Sequence, residues 1–424
     1  MKRLNNLPCI SENQKVIILN PRNKKWVRMP TQIYDFYLNK DEGEKELCDY
    51  LHKKYKLFEE KNRKLSILKS VYFTVTGKCN LCCSFCTMES GPETSTENDL
   101  TLKEIRNIVL PKLRKLKPQK IVITGGEPFV RKDLKKIISM MSKYFDKNII
   151  TLQTNGLLIN KKEVDFLCNN IGAIEFSIEN LFSNIKDLKK MKEIFELLKN
   201  RKIILSFSFV AHSATKRYLE NALELCNEFN AYFILRPVAI LGRAKDKHKI
   251  DILQEEREKI VLYMEVLQYI IKKHYFTENI CGLFLMQPIL RNNCGAFGNI
   301  MALQPNGTVY MCENLRNNRY DLGNIRTDSV YQIKKTINTK MSNPDYKEEF
   351  LVKPLMCKTC KASFFCPGPC IAERDEYSSN ICYIKKWLIE FNLFYVDKGK
   401  TIEENLRKLL FFLENKYHEV YCRK

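Results

Sequence analysis

No uninterrupted apolar stretch of this 424-residue chain approaches the 18 or so residues that a membrane span needs. The basic start Met1-Lys2-Arg3-Leu4-Asn5-Asn6 is followed by no apolar run, which argues against a secretory signal and makes a cytoplasmic protein the expectation. There is no internal repeat and no low-complexity tract. Acidic residues are in deficit: 71 Lys and Arg against 49 Asp and Glu leave a net charge of +22, which favours an acidic partner. Disorder is excluded by the 45% of apolar and 11% of aromatic residues, and the length admits roughly two to three domains. Against these absences stand 17 cysteines. In a large cytosolic chain they mean metal or redox chemistry rather than a disulfide framework.

The cysteines are clustered. Cys79, Cys82, Cys83 and Cys86 fall within eight residues; Cys357, Cys360, Cys366 and Cys370 fall within fourteen, with Cys382 after them and Cys294 and Cys312 before. Cys9, Cys48, Cys168, Cys226, Cys281 and Cys422 are isolated and read as small apolar side chains.

Two short strands are expected around Lys15–Leu19 and Lys25–Met29, separated by the turn-forming Asn20-Pro21-Arg22-Asn23. Short helices around Ile33–Leu38 and Glu44–Tyr55 follow, and then a charged linker, Glu59–Lys64. From Val71 the pattern becomes regular. Strand-like runs at 71–76, 119–123, 148–153, 173–178, 203–210 and 231–236 alternate with amphipathic helical segments at about 101–116, 131–145, 160–169, 185–200 and 215–229. Alternation of this length predicts βαβ units and a parallel sheet, so the fold class is α/β. Six strands fit an open or partial barrel at least as well as a doubly wound sheet. After about residue 286 the alternation gives way to turn-rich, Cys-rich sequence up to Cys382, then to a helical tail at about 384–420.

The spacing C-x3-C-x2-C of Cys79, Cys83 and Cys86 directly follows the first strand of the alternation, where active-site loops are built on such folds. Three thiolates in one loop can hold three irons of a [4Fe–4S] cube and leave the fourth open. A zinc site would pair two C-x2-C knuckles or add histidine, and this loop has none nearby. Cys82 allows a second spacing, C-x2-C-x3-C, through Cys79, Cys82 and Cys86. The stretch Thr76-Gly77-Lys78-Cys79-Asn80-Leu81-Cys82-Cys83-Ser84-Phe85-Cys86 resembles the signature loop of the radical S-adenosylmethionine (SAM) enzymes, C-x3-C-x-aromatic-C. The resemblance selects Cys83 over Cys82 as ligand and places Phe85 by the adenine of SAM.

A second match lies one βα unit on, at Thr124-Gly125-Gly126-Glu127-Pro128. Two glycines permit close backbone approach to a ligand, and a carboxylate beside them can pair with an ammonium. In the family this Gly-Gly-Glu holds the methionine amino group of SAM. Softer matches are Thr154-Asn155-Gly156, Ser177-Ile178-Glu179 and Arg236-Pro237, followed by Gly242-Arg243-Ala244, all at or after strand ends. Polar groups at such ends contact the ribose and carboxylate of SAM in related enzymes. Asn155, Ser177 and Glu179 are therefore expected cofactor contacts, although relatives often carry Asp where Glu179 stands.

The later cysteines run C-x12-G-x4-C (Cys294, Gly307, Cys312), then C-x2-C-x5-C-x3-C (Cys357, Cys360, Cys366, Cys370), then Cys382. This resembles, position for position, the SPASM extension of radical SAM enzymes, which binds two auxiliary [4Fe–4S] clusters. By that likeness Cys357, Cys360, Cys366 and Cys382 serve one auxiliary cluster, and Cys294, Cys312 and Cys370 give three ligands to the other. No cysteine lies between 295 and 311, so the second cluster has an open iron or takes Cys281 as fourth ligand. The implied cofactors are SAM and three [4Fe–4S] clusters. The implied fold is a partial (βα)6 TIM-like barrel over 69–285, with a SPASM domain and C-terminal helix over 286–424.

Residues 1–68, strand–turn–strand then helices, loosely resemble the winged-helix-like α+β element that binds leader peptides in enzymes maturing ribosomally made peptides. An exposed strand edge can add an extended peptide as a further strand, and a basic enzyme suits an acidic leader. The expectation is a radical SAM peptide maturase that removes hydrogen from a precursor peptide and installs a thioether or carbon-linked crosslink, reduced by a donor such as flavodoxin or ferredoxin. The alternatives are a sulfatase-maturing type of enzyme, which oxidises a protein Cys or Ser side chain, and a zinc-stabilised nucleic-acid-binding protein. Basic residues spread over helix faces without a nucleic-acid signature argue against the last.

Overall fold

The computed structural model describes residues 4, 7–59, 68–246, 256–291, 293–351, 357–373 and 382–422. The expected charged linker at 59–64 lies outside them beyond residue 59.

The small N-terminal sheet has three antiparallel strands in the order β1 (Cys9–Glu12), β2 (Lys15–Asn20), β3 (Lys25–Pro30). The sequence signalled β2 and β3 but not β1, whose four residues alternate between exposed and half-buried. At the β2–β3 turn, the Asn20 and Asn23 side chains accept from the amides of Arg22 and Lys25, and both donate to the Leu57 carbonyl. The turn is thereby fastened to the end of the helix Gly43–Tyr55.

Successive side chains of a strand point to opposite faces, and β2 uses both. Val16 and Ile18 pack with Val27, Met29, Leu47 and Leu51 inside the unit. Ile17 and Leu19 pack outward on Leu290, Phe365, Ile389, Leu393 and Phe394. Trp26 adds an edge-on contact with Phe365, ring centres 5.3 Å apart. Lys15 Nζ and Asn13 Nδ2 donate to the Phe394 carbonyl, and Arg28 Nη1 donates to that of Leu393. Those carbonyls belong to a π-turn, Phe391–Tyr395, at the end of a helix, where acceptors would otherwise be orphaned. The N-terminal unit is thus mounted on the C-terminal part of the chain rather than tethered to it.

The main sheet has nine strands in the order β12-β11-β10-β4-β5-β6-β7-β8-β9. Strands β4 (Ser70–Thr74), β5 (Lys120–Thr124), β6 (Ile150–Thr154), β7 (Ala173–Ser177), β8 (Ile204–Ala211) and β9 (Tyr232–Pro237) are all parallel. These are the six expected strands, each within about two residues, with the expected helices between them. The sheet is an open one, and it does not end at β4. The strand β10 (Ile300–Leu303) pairs parallel with β4, Met301 opposite Val71 and Leu303 opposite Phe73. From β10 it continues antiparallel through β11 (Thr308–Tyr310) and β12 (Asp321–Asn324). The Cys-rich region therefore extends the same sheet, which its short runs of three or four strand residues did not reveal.

The tail departs from the single helix expected at 384–420. A helix, Tyr383–Glu390, runs into the π-turn, stops at Val396, and a second helix, Ile402–Tyr421, follows. Polar local bonds make the break. Asp397 Oδ1 accepts from the Gly399 amide, Asn405 bonds back to Asp397, and Thr401 with Glu404 forms a capping box. The last helix buries Leu406, Leu409 and Leu413 and lies on Glu256–Lys273, a helix the sequence reading did not place.

Candidate active site

A cavity of about 560 Å³ opens at the C-terminal ends of β4 to β9. Tyr72 of β4 and Arg236 of β9 both line it, so the sheet curls until its first and sixth parallel strands face one space. The C-terminal ends of parallel strands are where such folds build their sites.

Cys79, Cys83 and Cys86 line this cavity and Cys82, which is exposed, does not. Burial raises the Cys83 thiol to about 11; Asn180 Nδ2 donates to it at 3.5 Å and lowers it, while Glu179, Cys86 and Cys79 nearby raise it. Three thiols on one cavity wall, with no acid–base partner set between them, fit a cluster whose iron displaces their protons.

The loop that carries them is pinned through its carbonyls. Arg131 closes its neck, donating to Val75 and Leu100 at 2.7 and 2.6 Å. Arg243 holds its tip, donating to Cys83 and Ser90 at 2.8 and 2.7 Å, and Arg316 donates to Thr87. At its base the amides of Gly126 and Glu127 donate to Thr76 and Lys78, each at 2.9 Å. Arg243 was singled out as a strand-end polar group toward SAM; its Nε and Nη2 go to the cysteine loop instead.

The glycines of Gly125-Gly126, expected to allow close approach to a ligand, are also required by a neighbouring loop. A Cβ on Gly125 would meet Thr76 O at 2.8 Å, and one on Gly126 would meet Lys78 O and Gly77 O at 2.5 and 2.6 Å. It is the cysteine loop's own backbone that approaches. Both glycines line the cavity, whereas Glu127 is wholly buried beneath it. The Glu127 carboxylate accepts from the amides of Phe129 and Asn155 and from the Thr154 hydroxyl, at 2.7–3.0 Å. Burial raises its pKa and those three donors oppose the rise. It ties β5's end to β6's end.

Asn155 donates from Nδ2 to Asn80 Oδ1 in the cysteine loop, at 2.9 Å. Phe85 sits in an apolar nest with Val210, Val238, Ile240 and Ala244, and its ring is 5.4 Å from that of His212. Ser177 and Glu179 line the cavity beside them. Burial pushes Glu179 up to about 7, and the Val210 amide donates to its carboxylate at 3.4 Å.

The later cysteines were expected to serve two auxiliary clusters. Burial raises Cys312 to about 11 with Cys294 and Cys370 as its thiol neighbours. Cys382 likewise rises to about 11, with Cys366, Cys357 and Cys360 around it. Among the described residues no three His, Cys, Asp or Glu groups converge on a single-ion site. Cys281, the alternative fourth ligand beside Cys294, Cys312 and Cys370, is 2% exposed, in the apolar core, and its thiol donates to the Tyr275 carbonyl at 3.3 Å. Of the other isolated cysteines Cys48 and Cys226 are buried as expected, and Cys9 and Cys422 are exposed.

The cavity also gathers Arg236, one of the softer strand-end matches, with residues that no motif announced. Arg236 Nη2 donates to Glu175 Oε1 and Nε to Ser208 Oγ, each at 2.8 Å. Tyr72 and Glu313 lie by this pair. Glu313 directly follows Cys312, and an acid beside an expected cluster ligand was the one available signal.

Fold and site together define a SAM-and-cluster type of partial barrel with a cysteine-rich extension. Residues 73–226 match the radical SAM superfamily and residues 294–361 match SPASM, an iron–sulfur cluster-binding domain. The chain is a radical SAM protein with a SPASM domain, and that pair of domains implies SAM and [4Fe–4S] clusters, auxiliary ones included. Its fold is similar to that of Streptococcus suis SuiB bound to S-adenosylmethionine (14% identity, TM-score 0.55, covering 90% of this chain and 98% of that one). It is also similar to native anSMEcpe with bound AdoMet and Kp18Cys peptide (18% identity, TM-score 0.56, covering 82% and 99%). Among curated proteins, a GTP 3′,8-cyclase of Peptoclostridium acidaminophilum is 32% identical over 126 residues, 30% of this chain and 38% of that protein. A probable GTP 3′,8-cyclase of Methanococcus vannielii is 31% identical over 205 residues, 45% of this chain and 66% of that protein. These matches span between 38% and 66% of the relatives' length. Among the described residues no helix is long and apolar enough to cross a membrane.

Proposed function

We propose that this chain is a peptide-modifying radical SAM enzyme which crosslinks a ribosomally made precursor peptide, through a sulfur or a carbon. In this reading Cys79, Cys83 and Cys86 hold the SAM-binding cluster, and Phe85, Gly125, Gly126, Asn155, Ser177 and Glu179 surround SAM, with Glu127 bracing them from below. When bound, cluster and SAM would supply the one-electron chemistry that removes hydrogen from an unactivated carbon. The chain's own contribution is position and dryness. Arg131, Arg243 and the Gly126 amide fix the loop, and Phe85, Val210 and Val238 give an apolar wall that excludes water. Cys357, Cys360, Cys366 and Cys382 would hold one auxiliary cluster. Cys294, Cys312 and Cys370 would hold the other with three thiols, leaving a place for a substrate sulfur.

The observation that carries the peptide substrate is the mounting of the N-terminal sheet. One face of β2 packs on the unit's own helices and the other on the C-terminal part of the chain, so the strand edges β1 and β3 stand at a fixed place. A fixed edge can hold an extended leader by strand addition while the following residues reach the cavity. One solved relative, Streptococcus suis SuiB, is described as bound to the precursor peptide SuiA. Oxidation of a single protein Cys or Ser side chain would use the same cavity without this platform. Hydrogen exchange tests the proposal: adding a leader peptide should slow exchange at amides of β3 or β1. Unchanged exchange throughout residues 9–30, with a peptide that is nevertheless modified, would remove the platform role.

A further inference from the structure

Five charged side chains line the cavity: Glu175, Glu179, Arg236, Arg243 and Glu313. Arg243 donates to the Cys83 and Ser90 carbonyls, and Arg236 to Glu175 and to Ser208. Glu179 receives the long bond from the Val210 amide, and Glu313 receives no hydrogen bond from any described residue. Arg316 and Arg236 act on Glu313 through space, but the Arg316 Nη2 donates to the Thr87 carbonyl and Arg236 is paired with Glu175. The internal pairing is therefore incomplete, and what is left over is negative.

The two remaining carboxylates lie in different company. Glu179 is with Ser177, Val210 and the cysteine loop, where SAM is placed above. Glu313 is with Tyr72, Glu175 and Arg236 on the side of Cys312. A half-buried carboxylate without a partner costs free energy that an incoming cation recovers, and a charge-assisted hydrogen bond is about twice as strong as a neutral one. A neutral side chain entering the same place would keep the carboxylate unpaired and lose its hydration as well.

We propose that Glu313, flanked by Tyr72 and Glu175, is a subsite for a cationic side chain of the substrate, a lysine or an arginine. The ammonium or guanidinium completes the ion pairing that the cavity lacks, and the aromatic face of Tyr72 flanks the aliphatic stem. The inference rests on the peptide reading to the extent that a polypeptide delivers the side chain. It assigns Glu313 to substrate positioning and specificity.

The test uses full-length, anaerobically reconstituted enzyme with SAM and two probes of equal side-chain length, the N-acetyl methylamides of lysine and of 2-aminoheptanoic acid, titrated by ligand-observed NMR. The lysine probe should bind about tenfold tighter or more. Glu313→Gln should abolish that preference and Glu313→Asp should keep part of it, with iron content and SAM affinity unchanged in both. Equal affinity of the two probes, or a preference that survives Glu313→Gln, would overturn the subsite. So would a Glu313→Gln enzyme that loses affinity for SAM, because Glu313 would then serve the cofactor. The peptide reading is judged separately, by the mass of a precursor peptide. A lysine preference alongside an unmodified peptide supports the subsite and counts against that reading alone.

Discussion

Replacing Gly126 by alanine attacks the junction between the Gly-Gly-Glu turn and the cysteine loop. The new Cβ would sit 2.5 Å from Lys78 O and 2.6 Å from Gly77 O, both backbone atoms that no rotamer change can move. That is roughly 0.8 Å short of ordinary van der Waals separation, so the loop base must retreat by about that much. Overpacking of this kind costs typically about 1–3 kcal/mol, and a misplacement near 1 Å costs about 100-fold in rate. The variant should fold, with Tm lowered by a few degrees. After anaerobic reconstitution it should hold up to about four fewer iron atoms per chain, and it should cleave SAM to 5′-deoxyadenosine about 100-fold more slowly. Gly91→Ala is the control, since its Cβ would meet nothing nearer than Cys82 Sγ at 3.8 Å. Wild-type iron and wild-type SAM cleavage in Gly126→Ala would refute the claim that the two loops are locked through their backbones.

Further tests follow from single groups. Glu127→Gln turns an NH2 toward one of the donors the carboxylate now accepts from, and should cost about 1–3 kcal/mol in denaturant unfolding; unchanged stability would mean that this buried network is not made. Glu179 has a folded pKa of about 7 against an ordinary value of 4.5, so the folded protein holds its proton more tightly and loses stability as pH rises from 4.5 to 7. In the cofactor-free protein Glu179→Gln should remove about 3 kcal/mol of that loss, and identical pH profiles of the two proteins would contradict it. Cys82→Ala should keep the SAM-binding cluster and Cys83→Ala should lose it, read by iron content; the reverse pattern would overturn the ligand assignment. Deleting residues 1–59 should lower solubility, because it uncovers Phe365, Leu393 and Phe394; a soluble, fully active truncation would remove both the mounting and the leader platform.

Much of the barrel was legible because its strands are β-branched runs ended by turn residues, and because parallel strands buried on both faces read as continuous apolar sequence. β10 was not legible: four residues carry little periodicity, and their pairing with β4 spans more than 200 residues of chain. The break at 391–401 escaped because the apolar spacing continues through the π-turn while the polar bonds of Asp397, Thr401 and Asn405 end the helix. In the site, spacing alone put Cys79, Cys83 and Cys86 in one loop, and the three line one cavity. What spacing could not show was direction. Gly126 is small because of Lys78, Glu127 faces Thr154 and Asn155, and Arg243 turns to Cys83. Each of these is a contact between loops far apart in sequence. Glu313 had no signal beyond its place after Cys312, since its company in the cavity, Arg236 and Tyr72, is far off in sequence.

The most direct test of the central claim is the mass of a short peptide encoded beside the gene, co-expressed anaerobically with the full-length protein. The expected result is a loss of two hydrogen atoms for each bond formed, absent when Cys83→Ala replaces the wild type. An unchanged peptide mass, from enzyme that still converts SAM to 5′-deoxyadenosine, would contradict the crosslinking of a precursor peptide.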